Sequence, residues 1–175
     1  VTSVKGIARG IRRAKPLRMA FKYDRDPATS GWTSLHERGR LDLQERLGDA
    51  IETSSFCGRA SDRDFDRTIA AVVADEADVI VTASPRQMEQ TRRAALAYPA
   101  TTFINCSINL SSSAVRTFYA RMYEVKFLMG ALAAGMAENH RVGYLANSPI
   151  FGSVAEVNGL LRQAFFYASW ERQSQ

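Results

Sequence analysis

The sequence predicts an α/β protein built on a doubly wound parallel sheet. Three observations carry this expectation. Short apolar runs recur at 17–23, 50–54, 78–82 and 102–105, and stretches with helical spacing lie between and after them. The connections are short, as in units that alternate strand and helix. Small polar and aromatic residues collect where strands run into helices, the edge at which open sheets of this class bind ligands.

The elements follow in order. Residues 1–15 read as a linker or fraying helix closed by Pro16, and the first strand covers 17–23. Residues 24–31 form a loop by composition. The first helix starts near Gly31, with Trp32, Leu35, Gly39, Leu43 and Leu47 on one stripe. A second strand over 50–54 and a polar loop through Gly58 and Ser61 lead to the second helix. That helix spaces Phe65, Ile69, Val72 and Val73 helically and sets Asp62, Asp64 and Asp66 in its first turn, where the helix dipole favours acids. The third strand, 78–82, gives way to Ser84 as a cap and Pro85 at the first helical position. The third helix runs to about Tyr98 and stops at Pro99. A fourth strand at 102–105 and a short fifth at 115–119 follow.

The fourth helix, 120–138, is apolar almost all round. Gly130, Ala131, Ala134 and Gly135 give it small faces, so it reads as a buried helix. Residues 141–146 read as a further strand and 147–149 as a connection. Val154, Val157, Leu161, Ala164, Phe165 and Ala168 mark a last amphipathic helix. The expected strand order is 2-1-3-4, with helices on both faces.

At 175 residues, 46% hydrophobic and 23% charged, the chain has the composition of an ordinary globular domain with room for a sizeable core. Its formal charge of +5 is unevenly placed. Lys5, Arg9, Arg12, Arg13, Lys15 and Arg18 stand in the first 18 residues with no acid, while the rest holds 17 basic and 18 acidic side chains, a charge of −1. Such an arm can touch phosphate or anionic lipid, but it reads more simply as a solvated linker. Without interleaved aromatics it does not make nucleic acid an expected partner. No stretch qualifies as a secretory signal. The fourth helix carries Arg121, Glu124 and Lys126, which leaves its uncharged part too short to cross a bilayer.

No nucleotide-binding glycine fingerprint and no GxSxG elbow is present. Cys57 and Cys106 have no zinc spacing, and a bridge between them cannot be deduced. His36 and His140 lack ligand-spaced partners, and His36 reads as structural. Neither a metal nor a cofactor is expected. No catalytic residues are expected either, because no carboxylate pair or nucleophile–base set stands among the candidates. Trp32 begins a helix directly after the first strand's loop. There it either stacks on a flat ligand ring or anchors the loop to the core. Ser84, Asn105 and Ser107 end the third and fourth strands, where such groups either line a pocket or cap and turn the chain.

These residues carry a family resemblance. The run Ser30-Gly-Trp-Thr-Ser-Leu-His-Glu-Arg-Gly39 resembles the first loop and helix of the basic membrane protein family of substrate-binding lipoproteins, which includes a purine nucleoside receptor of bacterial ABC importers. The similarity continues through residues 77–84, Ala97-Tyr-Pro99 with Phe103, the long run 118–130, Arg141-Val-Gly-Tyr144 and residues 149–158. It covers about 17–166 and is most specific in 118–130. It implies a periplasmic-binding-protein-like type I fold of two lobes. Residues 1–16 would be a basic arm, 17–138 lobe one, and 139–175 a truncated beginning of lobe two.

The resemblance also implies that the aromatic at Trp32 stacks on a purine or similar ring and that polar side chains near Thr33, Ser84 and Asn105 contact the ligand; with Ser107 and Phe151 these make the expected ligand set. Thr33 stands where the family often has Asn, which alters the expected hydrogen-bond pattern. The leading expectation is therefore a solute-binding module of an ABC importer or related sensor, taking a nucleoside, nucleobase or similar heterocycle without catalysis. An ABC permease would be its partner. Its place would be outside the cytoplasm at the plasma membrane, attached only through a lipid anchor not present in this chain, or in the cytoplasm if no signal peptide lies upstream. The alternative class is a ligand-sensing domain of a transcription regulator whose DNA-binding unit lies upstream. An α/β enzyme is the third, and the missing catalytic set disfavours it.

Overall fold

The computed structural model describes residues 15–58, 61–107, 112–139, 141–146 and 151–173. Five strands are assigned: β1 (Leu17–Tyr23), β2 (Ile51–Cys57), β3 (Val79–Thr82), β4 (Thr102–Cys106) and β5 (Val115–Phe118). They form one sheet of order β2-β1-β3-β4-β5, and every adjacent pair is parallel. The expected 2-1-3-4 order is found, with β5 added beside β4. The basic arm up to residue 14 lies outside the described residues. Of the six cations in the first 18 residues two are described: Lys15 pairs with Glu76 at 2.6 Å, and Arg18 of β1 with Asp75 at 3.0 Å.

Helices α1 (Gly31–Leu47), α2 (Asp62–Ala74) and α3 (Met88–Ala97) connect the first four strands. Alternate residues of the strands separate the two faces of the sheet, as the pleat requires. Ala20, Ile80, Phe103 and Val115 share one buried core with Phe65, Ile69 and Val72 of α2 and Met88, Ala94 and Ala95 of α3. Phe21, Tyr23, Val81 and Ala83 form a second core on the opposite face, with Leu43 of α1 against it.

Local chemistry explains where the helices start. Ser30 caps α1 by accepting from the Thr33 amide at 3.3 Å. Ser61 caps α2 by accepting from the Asp64 amide, and its hydroxyl donates to the Asp64 carboxylate at 2.7 Å. Ser84 accepts from the Arg86 amide, with Pro85 next in line, as expected, although the first turn is a 3-10 turn over Pro85–Gln87. Helix α1 ends at Gly48, whose φ of +51° belongs to the region that favours glycine.

The stripe by which α1 meets the sheet is not the apolar one. Leu35 and Leu47 are 64% and 48% exposed, and of the proposed series only Leu43 packs on the core. The inward stripe is Thr33, Glu37, Arg40 and Gln44. Tyr23 Oη donates to Glu37 Oε2 at 2.8 Å, Arg40 to Thr53 Oγ1 at 2.7 Å, and Gln44 exchanges hydrogen bonds with the backbone of Ile51 and Thr53. Edge strand β2 is thereby tied to α1 through polar contacts.

The chain divides into two compact units, Val1–Phe118 and Tyr119–Gln175. The division precedes helix α4 (Met122–Met136), so α4 groups with α5 (Phe151–Gln173) rather than with the sheet. Within this second unit the two helices pack closely. A Cβ on Gly130 would overlap the Leu160 backbone, and one on Gly159 would come within 2.8 Å of the Tyr123 carbonyl.

Two expectations fail here. Helix α4 is not buried: Leu128, Leu132 and Met136 are 67%, 65% and 74% exposed, and Gly130 alone is buried. One partner helix covers one stripe, and an all-round apolar helix needs cover on several. Residues 141–146 form no strand, since no neighbouring strand among the described residues takes up their backbone groups. The connection at 147–149 lies outside the described residues. Among those described, no helix is long and apolar enough to cross a membrane.

Candidate functional site

The register of the sheet converts sequence position into a chemical boundary. Ala20, Ile80, Phe103 and Val115 lie in one row across β1, β3, β4 and β5, all buried in the same core. The next row along that face, two residues nearer the carboxyl ends, is Lys22, Thr82, Asn105 and Thr117. The interior thus turns from apolar to polar within one strand repeat. Lys22, Thr82 and Asn105 are buried. The Lys22 ammonium donates to the carbonyls of Tyr23 and Gly58 at 3.0 and 3.1 Å. Burial lowers its pKa, opposed by Cys57 and the carboxylates of Asp24 and Asp64.

Trp32 sits above the end of β3. Its Nε1 donates to the Ala83 carbonyl at 2.7 Å, and 38% of the residue stays exposed. One helical turn on, the His36 ring meets the indole edge-on at 5.0 Å between centroids and Phe118 of β5 at 6.2 Å. Burial pushes the His36 imidazole below its ordinary pKa, which favours the neutral ring. Three aromatic rings therefore line one end of the sheet. Sequence reasoning left His36 as structural and did not single out Phe118. The available signal was the i, i+4 spacing of Trp32 and His36.

Beneath this edge lies a buried polar cluster. Asn105 Nδ2 donates to Thr82 Oγ1 at 2.7 Å and to the Ser84 carbonyl at 3.0 Å. The amide of Gln87 donates to the same Ser84 carbonyl. Ser107 is buried, and its amide bonds the carbonyl of Phe118 at 3.0 Å. Asn105 Oδ1, Ser107 Oγ and both polar atoms of the Gln87 side chain are buried without a partner among the described residues. Each such atom costs about 1–3 kcal/mol when nothing meets it.

The structure thus gathers Trp32, Ser84, Asn105 and Ser107 at one sheet edge. Thr33 is placed differently. It is buried on the inner side of α1, its hydroxyl 3.2 Å from Ser30 Oγ. The side chain of Phe151 and all of His140 lie outside the described residues. No group of His, Cys, Asp or Glu among the described residues is placed to hold a metal ion.

The parallel sheet of this order, with helices on both faces, superposes on solute-binding proteins of the periplasmic-binding-protein-like fold, of which this chain is a partial lobe. The model of PnrA-like ABC transporter substrate-binding proteins matches residues 18–167, so the chain belongs to that family. It is 28% identical over 145 residues to a purine-binding protein of Brucella abortus, covering 83% of this chain and 41% of the other. A solute-binding protein of an Aeropyrum pernix ABC transporter system superposes with a TM-score of 0.70 at 20% identity, over 89% of this chain and 45% of that one. A transcriptional activator of the comK gene from Bacillus halodurans superposes with a TM-score of 0.69, also at 20% identity, over 84% and 49%. The chain spans less than half the length of each of these proteins.

Proposed function

We propose that the protein binds a purine nucleoside or nucleobase as the solute-recognition part of an ABC importer. The base stacks on Trp32, and Ser84, Asn105 and Ser107 meet its polar edge. The observation that carries this reading is a part-exposed indole, pinned through Nε1 to Ala83, at the same sheet edge as buried polar atoms that lack partners among the described residues. An aromatic face with a few convergent polar groups is the make-up of a small-molecule pocket. The purine-binding relative from Brucella supports the choice of ligand. In this reading residues 17–138 belong to lobe one and 139–175 begin lobe two. Binding closes the lobes without any reaction, and the loaded protein delivers its ligand to a membrane permease from outside the cytoplasm, held there by a lipid anchor.

The test is calorimetric titration of the longest reading frame containing this chain with adenosine, guanosine and glucose. Micromolar or tighter binding of a purine nucleoside, weakened in Trp32→Ala and absent for glucose, is expected. Glucose binding with no purine binding would overturn it.

A second reading is a ligand-responsive regulator, favoured by the six cations in the first 18 residues. Duplex DNA binding by the chain, falling steeply with salt, would select it.

A further inference from the structure

The strands are parallel, so α1, α2 and α3 each return the chain to the start of the next strand and end at the amino edge of the sheet, opposite Trp32. The carbonyl ends of three helices give that edge a negative partial charge. Asp49 and Glu52 flank the start of β2, and Asp75, Glu76 and Asp78 lie between α2 and β3, so five carboxylates add to it. Arg46, in the last turn of α1, is matched by its own partner Asp42 at 3.0 Å.

Two cations from the basic start of the chain are already seated at this edge. Lys15 meets Glu76 at 2.6 Å. Arg18 pairs with Asp75 at 3.0 Å and with Glu52 at 3.3 Å, and it also donates to the Asp75 carbonyl at the end of α2. Its amide donates to Asp78 Oδ2 at 2.8 Å. Five acids and these two bases give the edge a net charge of −3. Beside Lys15 opens a groove of about 690 Å³, whose lining includes Pro16, Gln44, Asp49 and Glu52. Leu17 and Leu47, each next in sequence to a lining residue, are 44% and 48% exposed.

We propose that this groove is the docking surface for the chain's own first 14 residues. They carry Lys5, Arg9, Arg12 and Arg13 and no acid, four positive charges for an edge of net charge −3, and Val4, Ile7 and Ile11 to set against Leu17 and Leu47. Attachment through Lys15 makes the encounter intramolecular, at an effective concentration on the order of millimolar. A nucleic acid or an anionic bilayer must outcompete that, and both are repelled by the carboxylates around the root of the arm. Exposed ion pairs are individually weak, so the cations act as a set and salt loosens them together. The proposal is independent of the ligand reading. An arm seated here is withheld from DNA.

Trypsin cleavage after Arg9, Arg12 and Arg13 tests it. At about 0.02 M NaCl the full chain should be cut there about 10-fold more slowly than a synthetic peptide of residues 1–15, and at about 0.5 M NaCl the difference should vanish. Asp49→Asn combined with Glu52→Gln should be cut at the peptide rate in either salt. Asp66→Asn combined with Glu89→Gln, the same charge change at the carboxyl edge, should stay protected. Cleavage of the wild type at the peptide rate in low salt, or equal protection in the two double variants, would overturn the docking.

A carbodiimide, which joins amines to carboxylates in contact, should link Lys5, the one lysine before Lys15, to a carboxylate of this edge. The full chain should also stay off vesicles of phosphatidylcholine with phosphatidylglycerol, and off duplex DNA, at physiological salt. Binding to either that is lost without residues 1–14, yet unchanged in Asp49→Asn with Glu52→Gln, would give the arm to that partner and overturn the proposal.

Discussion

The indole nitrogen of Trp32 donates to the carbonyl of Ala83 across 51 residues of sequence, at 2.7 Å. This bond joins the start of α1 to the end of β3 and holds an aromatic face at the edge of the sheet. A tryptophan anchored at its polar tip keeps its ring in one place while leaving part of it exposed, which suits a stacking surface.

Trp32→Phe keeps a ring but removes the donor to Ala83. The expected outcome is a stability loss of about 0.5–1.5 kcal/mol, the net value of one hydrogen bond. Trp32→Ala should lose more stability and, in the ligand-binding reading, about 1–3 kcal/mol of affinity as well. Urea midpoints and calorimetric titration of both variants check this. Equal affinity in the wild type and Trp32→Ala would reduce Trp32 to a scaffold residue.

Glu37 gives a pH signature. Its carboxylate is held below its ordinary pKa by the hydrogen bond from Arg40, with Tyr23 adding to the effect and burial opposing it. A carboxylate depressed in the folded state contributes stability that is fully present above its unfolded value of about 4.3. That contribution is lost as the pH falls through the lower folded value. Glu37→Gln should therefore be about 1–3 kcal/mol less stable than the wild type at neutral pH, with the difference closing in acid. A difference that stays constant down to strong acid would show that Glu37 acts through packing alone.

The glycines separate two kinds of position. Gly130→Ala should destabilise the α4–α5 pair by about 1–3 kcal/mol, because the new methyl meets the Leu160 backbone rather than a side chain that can move. Gly39→Ala, inside α1 with open space where its Cβ would stand, should instead stabilise by about 0.5–1 kcal/mol. Thermal unfolding monitored by circular dichroism distinguishes them. A neutral Gly130→Ala would mean that the helices can separate at no cost.

The two thiols should differ in reactivity. Cys57 is exposed, while Cys106 is 2% exposed and burial pushes its pKa up to about 11. The thiolate is the reacting species, so alkylation of the native chain near neutral pH should label Cys57 and spare Cys106 until urea is added. Mass spectrometry of tryptic peptides reads this directly. Labelling of Cys106 in the native protein would reveal frequent opening at the carboxyl end of β4.

The sheet was legible because its signals are local. Each strand is a short apolar run, Ser84 and Pro85 mark a helix start by their own chemistry, and strand order follows from connection length and handedness. The position of Trp32 at the carboxyl edge was legible for the same reason. The errors fell where an element's state depends on its neighbours. Leu35 and Leu47 look like an inward stripe until Tyr23 and Thr53 supply partners for Glu37 and Arg40. Helix α4 looks buried until the number of elements covering it is known, and residues 141–146 look like a strand until no neighbour pairs with them.

By itself the sequence determined the α/β class, the 2-1-3-4 order of the first four strands, the Ser84 cap and the family. Each of these rests on residue type and spacing within a few turns of chain. Only the tertiary structure decided that the core changes from apolar to polar between Phe103 and Asn105, and that His36 and Phe118 join Trp32 in one aromatic edge. It also decided which atom of Asn105 is left without a partner among the described residues. The amide spends its protons on Thr82 Oγ1 and the Ser84 carbonyl, and those acceptors come from β3 and the turn after it rather than from the strand of Asn105.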